Sequence, residues 1–238
     1  MKKILLIISL LFFALQIKAQ DQLIIDPNAE IRSIYGSFNS IRVSGGIDLY
    51  LSQSGTEAIA VSAAEEKYKA GIKTIVENNT LRIFFDGDRG LSMKNKQLKA
   101  YVSFKTLELL DASGASDVLV AGNITTSHLN MRFSGASDFK GSVSLSSLEL
   151  DLSGASDVNI TGSASSLTIR SSGASDVDAY ELVTDFCDAS ASGASDINIT
   201  VHKELTVKAS GGSEISYRGD AIIKNIQKSG ASSVSKKG

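Results

Sequence analysis

The chain of 238 residues carries 24 basic and 26 acidic side chains, a net charge of −2 with histidine neutral, one cysteine, one proline and no tryptophan. That balance argues against a nucleic-acid partner, a single cysteine excludes an internal disulfide, and the missing tryptophan removes the usual aromatic platform for a sugar. The length suffices for a sizeable core in one large domain or two small ones.

The opening MKKILLIISLLFFALQIKAQ sets Lys2 and Lys3 before an apolar run from Ile4 to Leu15 and reaches a small residue at Ala19. This is the layout of a secretory signal peptide, so residues 1–19 are expected to be removed and the protein to be secreted, to the periplasm or the cell surface. The run is short for a membrane span and no later segment approaches one, which predicts no transmembrane segment after cleavage. Without Lys2, Lys3 and Lys18 the chain holds 21 basic against 26 acidic side chains.

Residues 20–106 read as a β-rich N-terminal capping part. FNSIRVSGGIDLYLS places Ile41 and Val43 before Ser44, and Leu49 and Leu51 after Asp48, with the alternation of a half-buried strand. AAEEKYKAG, from Ala63 to Gly71, is a short helix ended by glycine. IKTIVENNTLRIFF is a hairpin turning at Asn78 and Asn79, which tolerate left-handed backbone.

Residues 107–238 repeat one phrase. SGASD begins at Ser113, Ser134, Ser153, Ser172 and Ser192, with SGGSE at Ser210 and SGASS at Ser229; successive serines lie 21, 19, 19, 20, 18 and 19 residues apart. Three residues before each serine stand Leu110, Met131, Leu150, Ile169, Ala189, Val207 and Ile226; five after it stand Val118, Phe139, Val158, Val177, Ile197, Ile215 and Val234. Alternating strands on both sides of a corner cannot bury their apolar face alone. They predict an all-β chain coiled so that each strand pairs in parallel with its copy, a parallel β-helix or β-solenoid with coils of about 19 residues. At the corner Gly takes positive φ, Ala is expected to point inward, and Ser and Asp to face out. Glu108, Lys224 and Lys228 fall in core columns and mark the two ends as caps. The stretch 20–238 is best taken as one continuous domain, with a weak boundary near Leu107.

On FNSIRVSGGIDLYLSQSG, NNTLRIFF and the run LELLDASGASDV onward, the chain resembles the secreted head GIN domain family, a domain of unknown function labelled an auto-transporter adhesin. The resemblance covers about Phe38 to the C-terminus and implies a right-handed β-helix-like fold, but no catalytic residues. With only ASSVSKKG after Ser229 and Gly230, self-transport through a C-terminal barrel is not expected.

The candidate site is an acidic ladder of one residue per coil: Asp117, Asp138, Asp157, Asp176, Asp196 and Glu214. Carboxylates about 4.8 Å apart repel by roughly 3 to 4 kcal/mol at an effective dielectric near 20, so the column needs an offset. Solvent and backbone or Ser donors are one; a row of weak Ca²⁺ sites is the other, and no other cofactor is expected. His128 and His202 fall at different offsets, which argues against a Ser-His-Asp triad. Cys187 replaces a leucine in a core column. Arg132 and Arg170 lie near the phrase but two coils apart. The reading is a non-catalytic adhesin or binding scaffold for a surface polysaccharide or protein, with homo-oligomerisation open through exposed strand edges. A polysaccharide lyase or hydrolase is the alternative.

Overall fold

A computed structural model describes residues 26–87 and 96–238; the proposed signal peptide lies outside them. Among these residues all the strands belong to one continuous sheet that coils on itself. The solenoid begins with β2 (Ser40–Ser44) and β3 (Asp48–Gln53), which form a first coil, and resumes with β8 (Leu109–Ser113). Long strands then run from corner to corner: β9 (Val118–Ser134), β10 (Phe139–Leu152), β11 (Asp157–Ser171), β12 (Asp176–Ala191) and β13 (Asp196–Ala209). The stack ends with β14 (Glu214–Arg218), β15 (Ile222–Lys228) and β16 (Ser233–Lys236). Every pairing along it is parallel, and beside the corners it keeps the register expected from the repeat, as in Leu148↔Leu167, Leu150↔Ile169 and Val158↔Val177, with bulges shifting the register farther along β9–β10, β11–β12, β12–β13 and β13–β15.

Inward positions are filled by one apolar residue per coil. Leu110, Met131, Leu150, Ile169, Ala189 and Val207 are all fully buried, as are Leu129 and Leu205 in the neighbouring column. Cys187 takes its place between Leu167 and Leu205 at 5% exposure. Each large aliphatic side chain so buried contributes about 1.5–3 kcal/mol, and stacking makes that burial continuous rather than local.

The chain order at the N-terminal end departs from the spatial order. After β4 (Ala58–Ser62), α1 (Glu66–Gly71) and β5 (Ile72–Glu77), the strands β6 (Thr80–Phe85) and β7 (Lys99–Phe104) stack outside β2 and β3. The first coil is therefore held between β6 and β8 on one side and between β7 and β9 on the other. Antiparallel partners then close the end: β5 on β6, β4 on β7, and β1 (Glu30–Arg32) on β4. The hairpin turns where expected, with Asn78 and Asn79 at φ 50° and 58°. The helix is shorter than expected, because the Ala64 N–H donates to the Lys96 carbonyl (2.9 Å) instead of serving a helical turn.

The corner differs from its expected orientation in two ways. The alanines Ala115, Ala136, Ala155, Ala174 and Ala194 are exposed, whereas the second serines of the phrase, Ser116, Ser137, Ser156, Ser175 and Ser195, are fully buried. The buried hydroxyls accept N–H bonds from the preceding coil: Ser116 N–H to Ser137 Oγ, Ser137 N–H to Ser156 Oγ and Ser156 N–H to Ser175 Oγ, at 3.2–3.3 Å. A tight corner points some backbone N–H groups inward, and an alanine methyl could not satisfy them. The expected capping charges also sit outside the core. Glu108 is exposed beside buried Leu107. A register shift lets Ile223 pair with Leu205, so that Lys224 bulges out to Glu204 at 3.1 Å. Lys228 is exposed on the last coil.

At the corner glycine, two requirements coincide. Gly154 has φ +86°, and a Cβ there would lie 2.4 Å from the Gly135 carbonyl oxygen. Replacing Gly154 with Ala should cost roughly 2–4 kcal/mol, combining left-handed strain with overlap. Ala155→Gly, one residue along at an exposed site, should cost less than about 1 kcal/mol. Urea unfolding of the two variants checks the contrast.

Candidate functional site

Because coils stack in register, the outward residues form columns, and three flank the corner. The acidic column has all its members four residues after the corner serine. Asp117, Asp138, Asp157, Asp176 and Asp196 are exposed and Glu214 is half-buried, and the column extends onto the first coil through Asp48. The structure therefore brings all six predicted residues into one line. It also supplies part of the missing offset: the Asp157 N–H donates to Asp138 Oδ1 (3.2 Å) and the Asp196 N–H to Asp176 Oδ1 (3.3 Å). Each of these carboxylates thus accepts a charge-assisted hydrogen bond from the backbone of the next coil.

Lysines bracket the column. Lys99 pairs with Asp48 across β7 and β3. At the far end Lys237 Nζ reaches Glu214 Oε1 at 3.4 Å. A hydrogen bond from Ser216, then that from Lys237, holds the Glu214 carboxyl below its ordinary value. Asp48 behaves oppositely: burial, then the charge of Asp117, raises its carboxyl, with Lys99 opposing. Among the described residues no three His, Cys, Asp or Glu side chains converge as a metal cage would require. A cation on the column would meet one carboxylate per coil.

A parallel column stands two residues further along. Leu119, Lys140, Asn159 and Asp178 line, with the acidic column, an open groove of about 430 Å³. It begins at Tyr101 and Tyr50, whose rings stack at 5.0 Å. Asp26 accepts hydrogen bonds from Ser62 (2.7 Å) and the Tyr101 hydroxyl (3.2 Å), which pins the N-terminal segment over this end. No repeat signals that contact, because Asp26 belongs to none.

The third column lies two residues before the corner serine and is the feature the sequence reading left incomplete. It runs Arg82, Arg42, Asp111, Arg132, Asp151, Arg170, Ser190, Lys208 and Gln227, each paired in register with the next. Reading that offset through every coil shows the alternation; picking out Arg132 and Arg170 alone does not. Arg42 lies 3.6 Å from Asp111 and Arg170 3.2 Å from Asp151.

The remaining candidates are dispersed. His128 and His202 are exposed on different coils. Cys187 is buried; desolvation, then the nearby Asp188, pushes its thiol far up, so it is an inert packing residue rather than a nucleophile.

These features define a β-solenoid whose outward residues line up in columns from coil to coil, one of them uniformly acidic. The chain belongs to the family described as "Putative auto-transporter adhesin, head GIN domain", which matches residues 37–221. No curated protein matches it. Its fold is that of several solved structures. A "putative adhesin" from Bacteroides fragilis NCTC 9343 is 22% identical over 88% of this chain and 96% of its own, with a TM-score of 0.79. A "Putative lipid binding protein" from Parabacteroides distasonis ATCC 8503 is 17% identical over 90% and 98%, with a TM-score of 0.68. A "putative adhesin" from Parabacteroides merdae ATCC 43184 is 14% identical over 90% and 98%, with a TM-score of 0.64.

Since folding raises the Asp48 carboxyl pKa, its charged form costs stability at neutral pH, and the cost starts to fade as pH falls through the folded value and is gone below the unfolded one. Asp48→Asn should therefore raise the melting temperature at pH 7, with the gain shrinking in acid. Melting curves of both proteins across that range measure it.

Proposed function

We propose that the protein is a non-catalytic adhesin or binding scaffold of the cell envelope that contacts a surface polysaccharide or protein through the groove beside its acidic column. The observation that supports this is in-register repetition: the acidic wall of the groove offers a carboxylate at every coil, about 4.8 Å from the last. A partner with its own repeat meets the same contact several times, so individually weak contacts accumulate.

Glycosidase chemistry places two carboxyl groups in unlike environments, one kept protonated and one ionised. The column from Asp117 to Asp196 does the reverse, repeating one exposed environment at each corner. Among the described residues no helix is long and apolar enough to cross a membrane. The leader-like stretch ending at Ala19 supports export to the periplasm or the cell surface.

A glycan array probed with the protein, run beside a reducing-end assay on acidic polysaccharides, tests the proposal. Binding without new reducing ends is expected, and Asp138→Asn with Asp157→Asn and Asp176→Asn should change which glycans bind. Turnover of any polysaccharide would replace the scaffold reading with the enzymatic one.

A further inference from the structure

We propose that the face carrying the third column is the contact surface for a second copy of this chain, docked with its coils in reverse order about a two-fold axis. The column alternates in sign over four consecutive coils: Asp111, Arg132, Asp151, Arg170. An alternating ladder with an even number of rungs is complementary to itself when reversed. With the axis between Arg132 and Asp151, Arg132 of each copy meets Asp151 of the other, and Asp111 meets Arg170. No other two-fold register gives all four residues an opposite charge. An axis running parallel to the stack sets like on like at every coil.

Within one copy, Arg132 is the rung without an ion pair among the described residues. Its two carboxylate neighbours are already engaged, Asp111 by Arg42 and Asp151 by Arg170. The two-fold gives it Asp151 of the second copy. The adjoining outward column is compatible. Reversed on itself it places Asn130 against Glu149, Leu109 against Thr168 and Ser40 against Asp188, with no like charges opposed. Beyond the four central coils Arg42 meets Ser190. Only the outermost coils oppose two cations, Arg82 and Lys208, and Arg82 has Glu77 at 3.8 Å to offset the contact.

The face also suits one copy better than the open end of the stack does. The last coil presents an unpaired edge, but Lys224, Lys228, Lys236 and Lys237 crowd it, the usual protection of an exposed edge against pairing. Six coils by a five-residue strand span about 29 Å by 17 Å, or roughly 500 Å² per copy, at the low end for a specific interface. The dimer is accordingly concentration-dependent and salt-sensitive.

Sedimentation velocity on the protein produced from the full sequence tests this. At low salt the wild type should show a monomer–dimer equilibrium, weakened about tenfold or more at high salt. Arg132→Asp and Asp151→Arg, both on the surface, should each sediment as monomer, because each opposes like charges across the axis. Mixed in equal amounts they should form a heterodimer, since the two acidic rungs of one then face the two basic rungs of the other. That rescue also shows that both variants are folded. A wild type that stays monomeric at low salt, single variants that remain dimeric, or a mixture that stays monomeric would each overturn the proposal. So would an acidic polysaccharide whose binding is abolished by Arg132→Asp while the wild type stays monomeric.

Discussion

The structure depends on how closely one corner passes over the next. At successive corners the alanine N–H donates to the glycine carbonyl of the preceding coil, as in Ala155 to Gly135, Ala174 to Gly154 and Ala194 to Gly173, each at 2.8 Å. The same carbonyls stand where the Cβ of the stacked residue would be, 2.4–2.5 Å from an added methyl at Gly154, Gly173 and Gly193. The hydrogen-bond ladder therefore crosses the corner unbroken only if that position has no side chain. With glycine there, the strand segments flanking the corner are held in one register, and the columns beside it follow.

That register divides the sequence into positions with different freedom. Inward positions must be apolar, or must serve the inward N–H groups as the buried serines do. Outward positions carry no packing demand, so a regular pattern there reflects interactions along the stack or with a partner. Two outward columns carry such patterns with opposite logic. The acidic column repeats one sign and is held by backbone donors and by lysines at its ends. The third column alternates sign and, among the described residues, leaves Arg132 without an ion pair. A uniform column suits a repeating ligand, whereas an alternating one suits its own reversed copy.

Much of this was legible because a repeat samples one physical environment several times. The 19-residue spacing, the core columns and the buried Cys187 follow from it directly. The failures lie where the repeat is silent or local geometry overrides it. The phrase alone does not show which of its small residues turns inward; the backbone N–H groups inside the corner decide that for serine over alanine. Lys224 occupies the position of a core leucine by count, yet one bulged residue hands that place to Ile223. The interleaving of β6 and β7 outside β2 and β3 has no sequence signal, since parallel strands of similar pattern can stack in either order. Asp26, tied to Ser62 and Tyr101, belongs to no repeat at all.

The central claim is that the coil, from one corner to the next, is the unit of structure. It is tested most directly by excising one whole coil, Ser153 to Ser171, so that Leu152 runs into Ser172, and following unfolding by far-ultraviolet circular dichroism. The account predicts a shorter solenoid with the same β signature that still unfolds cooperatively, while excision of Ser153 to Gly162, half a coil, destroys the fold. Loss of cooperative unfolding in the whole-coil deletion, or its survival in the half-coil deletion, would contradict it.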